Sequence, residues 1–300
     1  MSSQLNIGMI GVGMMGHGIA KNILAKGYSL TIMGHRNRKR VDDLLEKGAK
    51  EVTTPAELTN VSDVIILCVT GTPEVEEIVL GQNGIIEACR EGLIIIDCST
   101  AIPVSTLKIS EQIAARGGAF VDAPMSRTPK EAEEGRLNIM VGGEDATLAK
   151  VRPIMEAFAE NIFHVGPVGS GHKIKLINNF LGLGHAIITA EAAVMAREYD
   201  VDLRKLFEVV SSGGANSAMF EMCMPWLLEG DDSRAKFTIA NALKDLTYLS
   251  QLVEGQRINY KMLEPVRRSY AGAKEHGFGE NFLPRLADAI IAEHGVEKKS

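Results

Sequence analysis

The sequence predicts an α/β protein in two parts: a doubly wound, mostly parallel sheet, then a long helix leading into an all-α C-terminal domain. Three observations carry this. Short β-branched runs alternate with helical stretches through the first half. A glycine-rich turn follows the first of those runs. Strand signals almost vanish after Gly169.

In chain order, Asn6 to Val12 reads as a buried strand and Met14 to Ala25 as a helix, ended by Gly27. Ser29 to Met33 is the next strand and Arg40 to Glu46 the next helix. Val64 to Val69, Leu93 to Asp97, Ala119 to Asp122 and Leu137 to Val141 read as further strands. Helices are expected at Pro73–Val79, which has proline in its first turn, and at Val104–Arg116. Such alternation means a sheet covered on both faces. Beyond Gly169 helices are expected at Lys173–Tyr199, Leu203–Ser211, Ser217–Leu228, Ile239–Glu254, Leu263–Glu275 and Phe282–Glu293. The domain boundary is therefore placed near Val168, giving residues 1–168 and 169–300.

Gly11, Gly13 and Gly16 form GxGxxG at the first strand-to-helix turn, with Met14 and Met15 inside it. The first glycine permits a tight turn and the second lets a pyrophosphate approach the backbone. The third allows close helix–strand packing, as in a Rossmann-type domain. The helix N-terminus attracts the phosphates. About 20 residues on, an acid would hydrogen-bond the ribose of NAD. Here the chain has His35, Arg36, Asn37 and Arg38, with no acid before Asp42. Guanidinium forks suit a 2′-phosphate, so NADP(H) is expected in preference to NAD(H), with Arg36 the main contact and Asn37 or Arg38 assisting. A solvated basic loop or a small nucleic-acid patch would also explain this basic run. Val69, Thr70 and Thr72, with Thr100, lie at strand ends where open α/β sheets bind ligands. They are read as lining the cofactor, and Asp122 to Thr128 as facing the substrate.

Composition excludes other classes. The chain is 45% hydrophobic and 23% charged with a net charge of −6, which gives no general attraction to nucleic acid or anionic membrane. Cys68, Cys89, Cys98 and Cys223 lack CxxC spacing, so no disulfide framework is implied. His164, His172 and His185 lack metal-ligand spacing and read as caps, core or surface, so no metal is expected. Leu5 to Met15 is apolar but punctuated by glycines, and no arginine precedes Arg36. A signal peptide or presequence is not indicated. No uninterrupted apolar run reaches bilayer length, and a cytoplasmic protein is expected.

Gly169 to Ala196 organises the rest. Apolar residues run almost continuously from Ile174 to Met195, predicting a helix buried nearly all round. Lys175 and Asn179 are four apart and share a face. An ammonium in such surroundings is costly unless paired or used; a stem snorkelling to solvent is the plain alternative. So greasy a helix suggests a homodimer or homotetramer.

GVGMMG at 11–16, DCST at 97–100, DAPMS at 122–126, GSGHKIKLINN at 169–179 and LKDL at 243–246 together make the chain resemble the β-hydroxyacid dehydrogenase family over nearly its whole length. The resemblance implies Lys175 as catalytic lysine, Asn179 as its partner at the substrate and Ser126 as a contact to the substrate's acid group. It also implies that Lys244 closes over the cofactor and Phe237 walls the nicotinamide pocket. Family members usually continue DAP with Ser-Gly-Gly; this chain has Ser126-Arg127-Thr128, similar to the sulfolactaldehyde reductase branch. Arg127 can fork onto a carboxylate, sulfonate or phosphonate, or pair with Glu131, Glu133 or Glu134 nearby. The implied activity is NADP(H)-dependent hydride transfer between nicotinamide and a small anionic hydroxy acid or oxo compound, with Lys175 as general acid and base. An imine reductase of the same superfamily, or a non-catalytic NADP-binding regulatory protein, are the alternatives; the lysine speaks against both.

Overall fold

The structure, a computed structural model, describes residues 5–34 and 38–295. The expected cofactor contacts His35, Arg36 and Asn37 lie outside the described residues, as does the terminus from 296 onward. The chain divides into two compact units, Met1–Lys175 and Leu176–Ser300. That division falls within the long helix, a little later than the boundary read near Val168.

The first unit holds the sheet. Strands β1 (Asn6–Ile10), β2 (Ser29–Met33), β3 (Lys50–Val52), β4 (Val64–Leu67), β5 (Ile94–Asp97) and β6 (Ala119–Asp122) run parallel in the order β3-β2-β1-β4-β5-β6. Next to β6 the direction reverses. Of β7 (Met125–Ser126), β8 (Leu137–Gly142) and β9 (Ala159–Gly166), β8 pairs antiparallel with β6 and β7 and parallel with β9. The chain leaves β1 on one side and resumes at β4 on the other. Sheets of this kind bind ligands outside the carboxyl ends of the strands at that reversal.

Side chains of a strand alternate between faces, and here both faces are buried. Val64 and Ile66 of β4 join an apolar layer with Ile7, Met9 and Ile96, whereas Ile65 and Leu67 join the opposite layer with Ile10 and Ile95. The first layer is covered by Ile19 and Ile23 of α1 (Met14–Ala25) and by Val41 and Leu44 of α2 (Arg38–Glu46). The second is covered by Leu58 of α3 (Pro55–Asn60), Val75 and Val79 of α4 (Thr72–Leu80), Ile85 of α5 (Ile85–Ala88) and Ile109 and Ile113 of α6 (Pro103–Ala114). Each such side chain fully buried contributes about 1.5–3 kcal/mol.

Several elements lie outside the stretches for which the sequence predicts a strand or helix. α3 starts at Thr54, whose hydroxyl accepts from the Glu57 amide while Glu57 reaches back, a capping box. α7 (Pro129–Glu133) starts in the same way at Thr128 with Glu131. α8 (Asp145–Met155) carries Pro153 near its end, which weakened its helical signal. β3 is three residues long with two of them exposed, too short for a pattern. β1 stops at Ile10 rather than Val12, since Gly11 turns the chain at a φ of +97°. The last two helices are also shorter than expected. α13 (Leu263–Ala273) gives way to a π-turn at Lys274–Phe278, and α14 (Leu286–Glu293) is preceded by a 3₁₀ turn at Leu283–Arg285.

α9 (Ser170–Glu198) is continuous over 29 residues. It is not buried all round as expected. Leu176, Leu183, Ala186, Ile187, Ala190 and Ala193 form its buried face. Ile174, Leu181, Ile188 and Met195 are 41–58% exposed and fall seven residues apart, with Ile177 beside them. Two apolar faces, one covered and one open, produced the unbroken run. By length and composition α9 would also suffice to cross a membrane, a test that the core helix of a soluble protein passes equally.

The second unit continues with α10 (Leu203–Ser211), α11 (Ala218–Glu229), α12 (Ile239–Val253), α13 and α14. Phe207 stacks on Phe220 at 5.8 Å. The buried Tyr270 hydroxyl donates to the Leu183 carbonyl of α9 at 2.9 Å. Trp226 Nε1 donates to Asp288 at 3.0 Å while Arg285 lies over its ring at 4.1 Å. These ties join α9 to α13, α11 to α14, and α10 to α11.

Candidate active site

In the first unit the three glycines have distinct reasons to be there. A methyl group added at Gly11 would lie 2.2 Å from the Cys68 carbonyl oxygen, and one at Gly16 would lie 1.8 Å from the Gly11 carbonyl oxygen. Both are demanded by the chain's own packing. Gly13 has nothing within 4 Å of such a methyl, so its absent side chain leaves open space. Gly13 also caps α1 without a side-chain hydrogen bond, and the first turn carries no acid. Exposed amides and an unfilled cradle fit the pyrophosphate of a dinucleotide. Met14 is 43% exposed there and Met15 half-buried.

The strand ends beside this turn are tied together. The Val69 amide donates to Ser99 Oγ at 3.0 Å, and the Ile102 amide donates to Thr72 Oγ1 at 2.8 Å. Thr72 is thus a buried structural link at the start of α4, whereas Thr70 is exposed and Thr100 half-buried. Arg38 bridges Glu51 at 2.6 Å and Asp42 at 3.2 Å. Those pairs hold the Glu51 carboxyl below its usual range and raise the guanidinium further. Exposed pairs of this sort are screened by solvent and add little to stability.

In the segment expected to face the substrate, Ser126 is half-buried on β7 opposite Asn138 of β8. Arg127 has a φ of +84°, a conformation glycine adopts freely, and glycine is what the family resemblance places there. Its guanidinium engages Glu160 of β9 and the Arg136 carbonyl. The partner is Glu160, 33 positions away in sequence, rather than the local Glu131, Glu133 or Glu134. Thr128 caps α7, its hydroxyl shared with the Lys130 amide and the Glu131 carboxylate.

The start of α9 is capped from the sheet. Asp122 Oδ1 accepts from the Gly169 amide at 2.7 Å and Oδ2 from the His172 amide at 2.8 Å. Burial pushes the Asp122 carboxyl above the usual range, while the His172 ring and the two amides pull it back. A methyl at Gly171 would meet the Met140 carbonyl oxygen at 2.4 Å, so helix and sheet backbones are in close contact. Lys175 follows, half-buried.

In the second unit Asn179 Nδ2 donates to Asp245 Oδ2 at 2.6 Å, and Lys244 Nζ lies 3.0 Å from Asp245 Oδ1 and 5.1 Å above the Tyr248 ring. A carboxylate only accepts, so it turns the Asn179 amide nitrogen toward itself, and the amide oxygen accepts from Asn178 Nδ2 at 3.4 Å. Phe237 is half-buried just before Thr238, the cap of α12. Asp122 is expected from the sequence only as part of the segment facing the substrate, and His172 only as a cap, core or surface histidine; neither the capping of α9 by Asp122 nor the pairing of Asp245 with Asn179 is expected from it. The signal for Asp245 was an acid among the buried positions Ala242, Leu246 and Leu249 of one helix face.

A family model described as the NAD binding domain of 6-phosphogluconate dehydrogenase matches residues 6–166. A second, described as NAD-binding of NADP-dependent 3-hydroxyisobutyrate dehydrogenase, matches residues 169–282. The chain belongs to the β-hydroxyacid dehydrogenase family. It is a dehydrogenase or reductase of that type and takes a nicotinamide cofactor. It is 32% identical over 257 residues to the 2-hydroxy-3-oxopropionate reductase of Escherichia coli (strain K12), covering 85% of this chain and 86% of that one. It is 28% identical over 294 residues to the 3-sulfolactaldehyde reductase of the same organism, covering 98% of each. In fold it matches a crystal structure of 3-hydroxyisobutyrate dehydrogenase from Salmonella typhimurium with a TM-score of 0.85 at 23% identity, over 95% of this chain and 99% of that one.

The contrast among the glycines gives a test. Gly13→Ala is expected to leave the melting temperature near wild type and to weaken nicotinamide nucleotide binding on titration calorimetry. Gly16→Ala is expected to lower the melting temperature itself, because overpacking against backbone costs about 1–3 kcal/mol or more. Equal effects of the two on melting would remove the distinction.

Proposed function

We propose that the protein is an NADP(H)-dependent oxidoreductase acting between a small anionic oxo compound and its hydroxy acid, with Lys175 as the proton-transferring group. The observation that carries this reading is the start of α9, where Lys175 stands half-buried one turn after a helix terminus clamped to the sheet. When bound, reduced nicotinamide supplies hydride to the substrate's carbonyl carbon. Lys175 gives a proton to the carbonyl oxygen, and in the reverse direction takes one from the hydroxyl. Asn179, a helical turn further on, holds that oxygen's neighbourhood with an amide already oriented by Asp245. Gly11, Gly13 and Gly16 with Met14 and Met15 hold the pyrophosphate, Arg36 the 2′-phosphate, and Val69, Thr70, Thr100, Phe237 and Lys244 the rest of the cofactor.

Ser126 takes the acid group of the substrate. Arg127 reaches that anion by exchanging Glu160 for it, a partly exposed pair worth about 0–1 kcal/mol, so the exchange is cheap. The relatives named for 2-hydroxy-3-oxopropionate and 3-sulfolactaldehyde reduction indicate small carbonyl compounds bearing a carboxylate or sulfonate. A panel of glyoxylate, succinic semialdehyde, sulfolactaldehyde and an oxo-phosphonate with NADPH identifies the acid group, and a cyclic imine in the same panel tests the imine reductase alternative.

The open face of α9 is proposed to cover a second copy of this chain. Its apolar residues recur every seven positions, the spacing that lets like helices pair, and no nucleic acid or membrane partner is required.

Three outcomes are expected. Lys175→Ala loses turnover by several orders of magnitude in single-turnover kinetics while NADPH still binds; retained turnover would take the lysine out of the reaction. Arg36→Ala raises the KM for NADP(H) far more than that for NAD(H), and equal changes would end the proposed preference. Leu181→Glu with Ile188→Glu shifts the sedimentation coefficient from that of an oligomer to that of a monomer; a wild-type chain sedimenting as a monomer would refute the paired helices.

A further inference from the structure

One buried cluster of the first unit enters the reaction as described only through the Asp122 clamp on α9; its other side chains have no part in it. Asp97 at the end of β5, Asp122 at the end of β6 and His172 in the first turn of α9 are each 0–1% exposed. His172 Nε2 lies 3.2 Å from the Ser99 carbonyl oxygen, and Nδ1 lies 2.7 Å from Thr106 Oγ1 of α6. A carbonyl oxygen can only accept, so Nε2 carries a proton and donates it to Ser99. Thr106 Oγ1 is also 3.2 Å from the Ile102 carbonyl. The hydroxyl has one proton, so it donates either to that carbonyl or to Nδ1.

The surroundings are unlike those of a histidine that merely fills space. Asp97 Oδ2 stands 3.8 Å from Nε2, and Asp122 Oδ2 stands 4.0 Å from Nδ1. Asp97 Oδ2 is buried with no hydrogen-bond donor, although Oδ1 accepts from the Ser99 amide at 2.9 Å. A buried carboxylate oxygen without a donor is costly, and the imidazole is the polar side chain beside it. Apolar packing alone would not place a ring there.

We propose that His172 is a positioning residue for the reaction, setting the place of the α9 turn that carries Lys175 relative to the cofactor-lining strand ends. Three ties leave this one residue. Its amide goes to Asp122, Nε2 to Ser99 and Nδ1 to Thr106. Ser99 in turn receives the Val69 amide on its hydroxyl, so the network reaches both segments assigned to the cofactor. Lys175 follows three residues later on the same helix, and a helix transmits a shift of its first turn almost rigidly. The inference rests on Lys175 being the proton donor.

The test compares His172→Phe, which keeps shape without donors, with His172→Gln, whose amide nitrogen can still donate to Ser99. Displacement of a reacting group by about 1 Å costs up to a hundredfold in rate, so His172→Phe is expected to lower kcat about ten- to a hundredfold. The substrate KM and the nucleotide dissociation constant, measured by calorimetry, should both stay within about twofold. His172→Gln should recover most of the rate. Because the ring acts through the ammonium, Lys175→Ala with His172→Phe should be no slower than Lys175→Ala alone. A wild-type kcat per folded molecule in His172→Phe would overturn the proposal, as would a double variant slower than Lys175→Ala by the full factor of the single change. If Lys175→Ala itself keeps wild-type turnover, the proton-donor reading fails first, visibly and separately. Should His172→Phe not fold, nitrogen NMR of histidine-labelled full-length protein decides. A proton fixed on Nε2 is expected, and a bare Nε2 would overturn the proposal.

Discussion

The carboxylate of Asp122 is the contact on which the arrangement of the first unit's chemistry depends. A helix begins with amide groups that have no partner of their own, and α9 begins inside the protein, where water cannot supply one. Asp122 satisfies two of them, Gly169 and His172, from the end of a strand 47 and 50 positions earlier in the chain. A negative group at a helix N-terminus is favoured by the helix dipole, and charge-assisted bonds offset part of the cost of burying it. The close backbone approach at Gly171 follows from the same contact. Lys175, one turn on, inherits its place from it.

The nucleotide-binding turn rests on a different kind of constraint, exclusion rather than attraction. Gly11 and Gly16 are glycines because the chain leaves no room beside them, whereas a methyl at Gly13 would meet nothing within 4 Å. A motif that reads as three equivalent letters thus contains two packing requirements and one position that the chain itself leaves open. The substrate loop shows the converse. Arg127 keeps the backbone conformation of the glycine that the family usually places there, and its side chain has found an acid on a neighbouring strand. A backbone shape can outlast the residue type that suits it best, provided the new side chain has somewhere favourable to go.

Much of this was legible beforehand, and the parts that were not share a feature. The strands β1, β2, β4, β5, β6 and β8 announced themselves because both faces are largely buried and their runs are mostly apolar. The helices α1, α6, α10, α11 and α12 are followed by glycine stops, and α9 showed as an almost continuous apolar run. β3 and α5 were missed because three or four residues are too few to show a period. α3 and α7 were missed although their capping boxes stand in the sequence. α9 was recognised in extent and misread in burial, since an apolar residue facing a covered surface and one facing an open surface look identical in a string of letters.

What the amino-acid order determined by itself is local: where the chain turns, which stretches coil or extend, and which residue types stand at the turns and helix starts. These follow from backbone sterics and from spacings of a few residues. What only the tertiary structure decided is partnership across long separations. Arg127 pairs with Glu160, Asn179 is turned by Asp245, and the ring of His172 lies beside two aspartates from neighbouring strands. Each depends on which distant surfaces packing brings within a few ångströms, and no short spacing in a sequence encodes that.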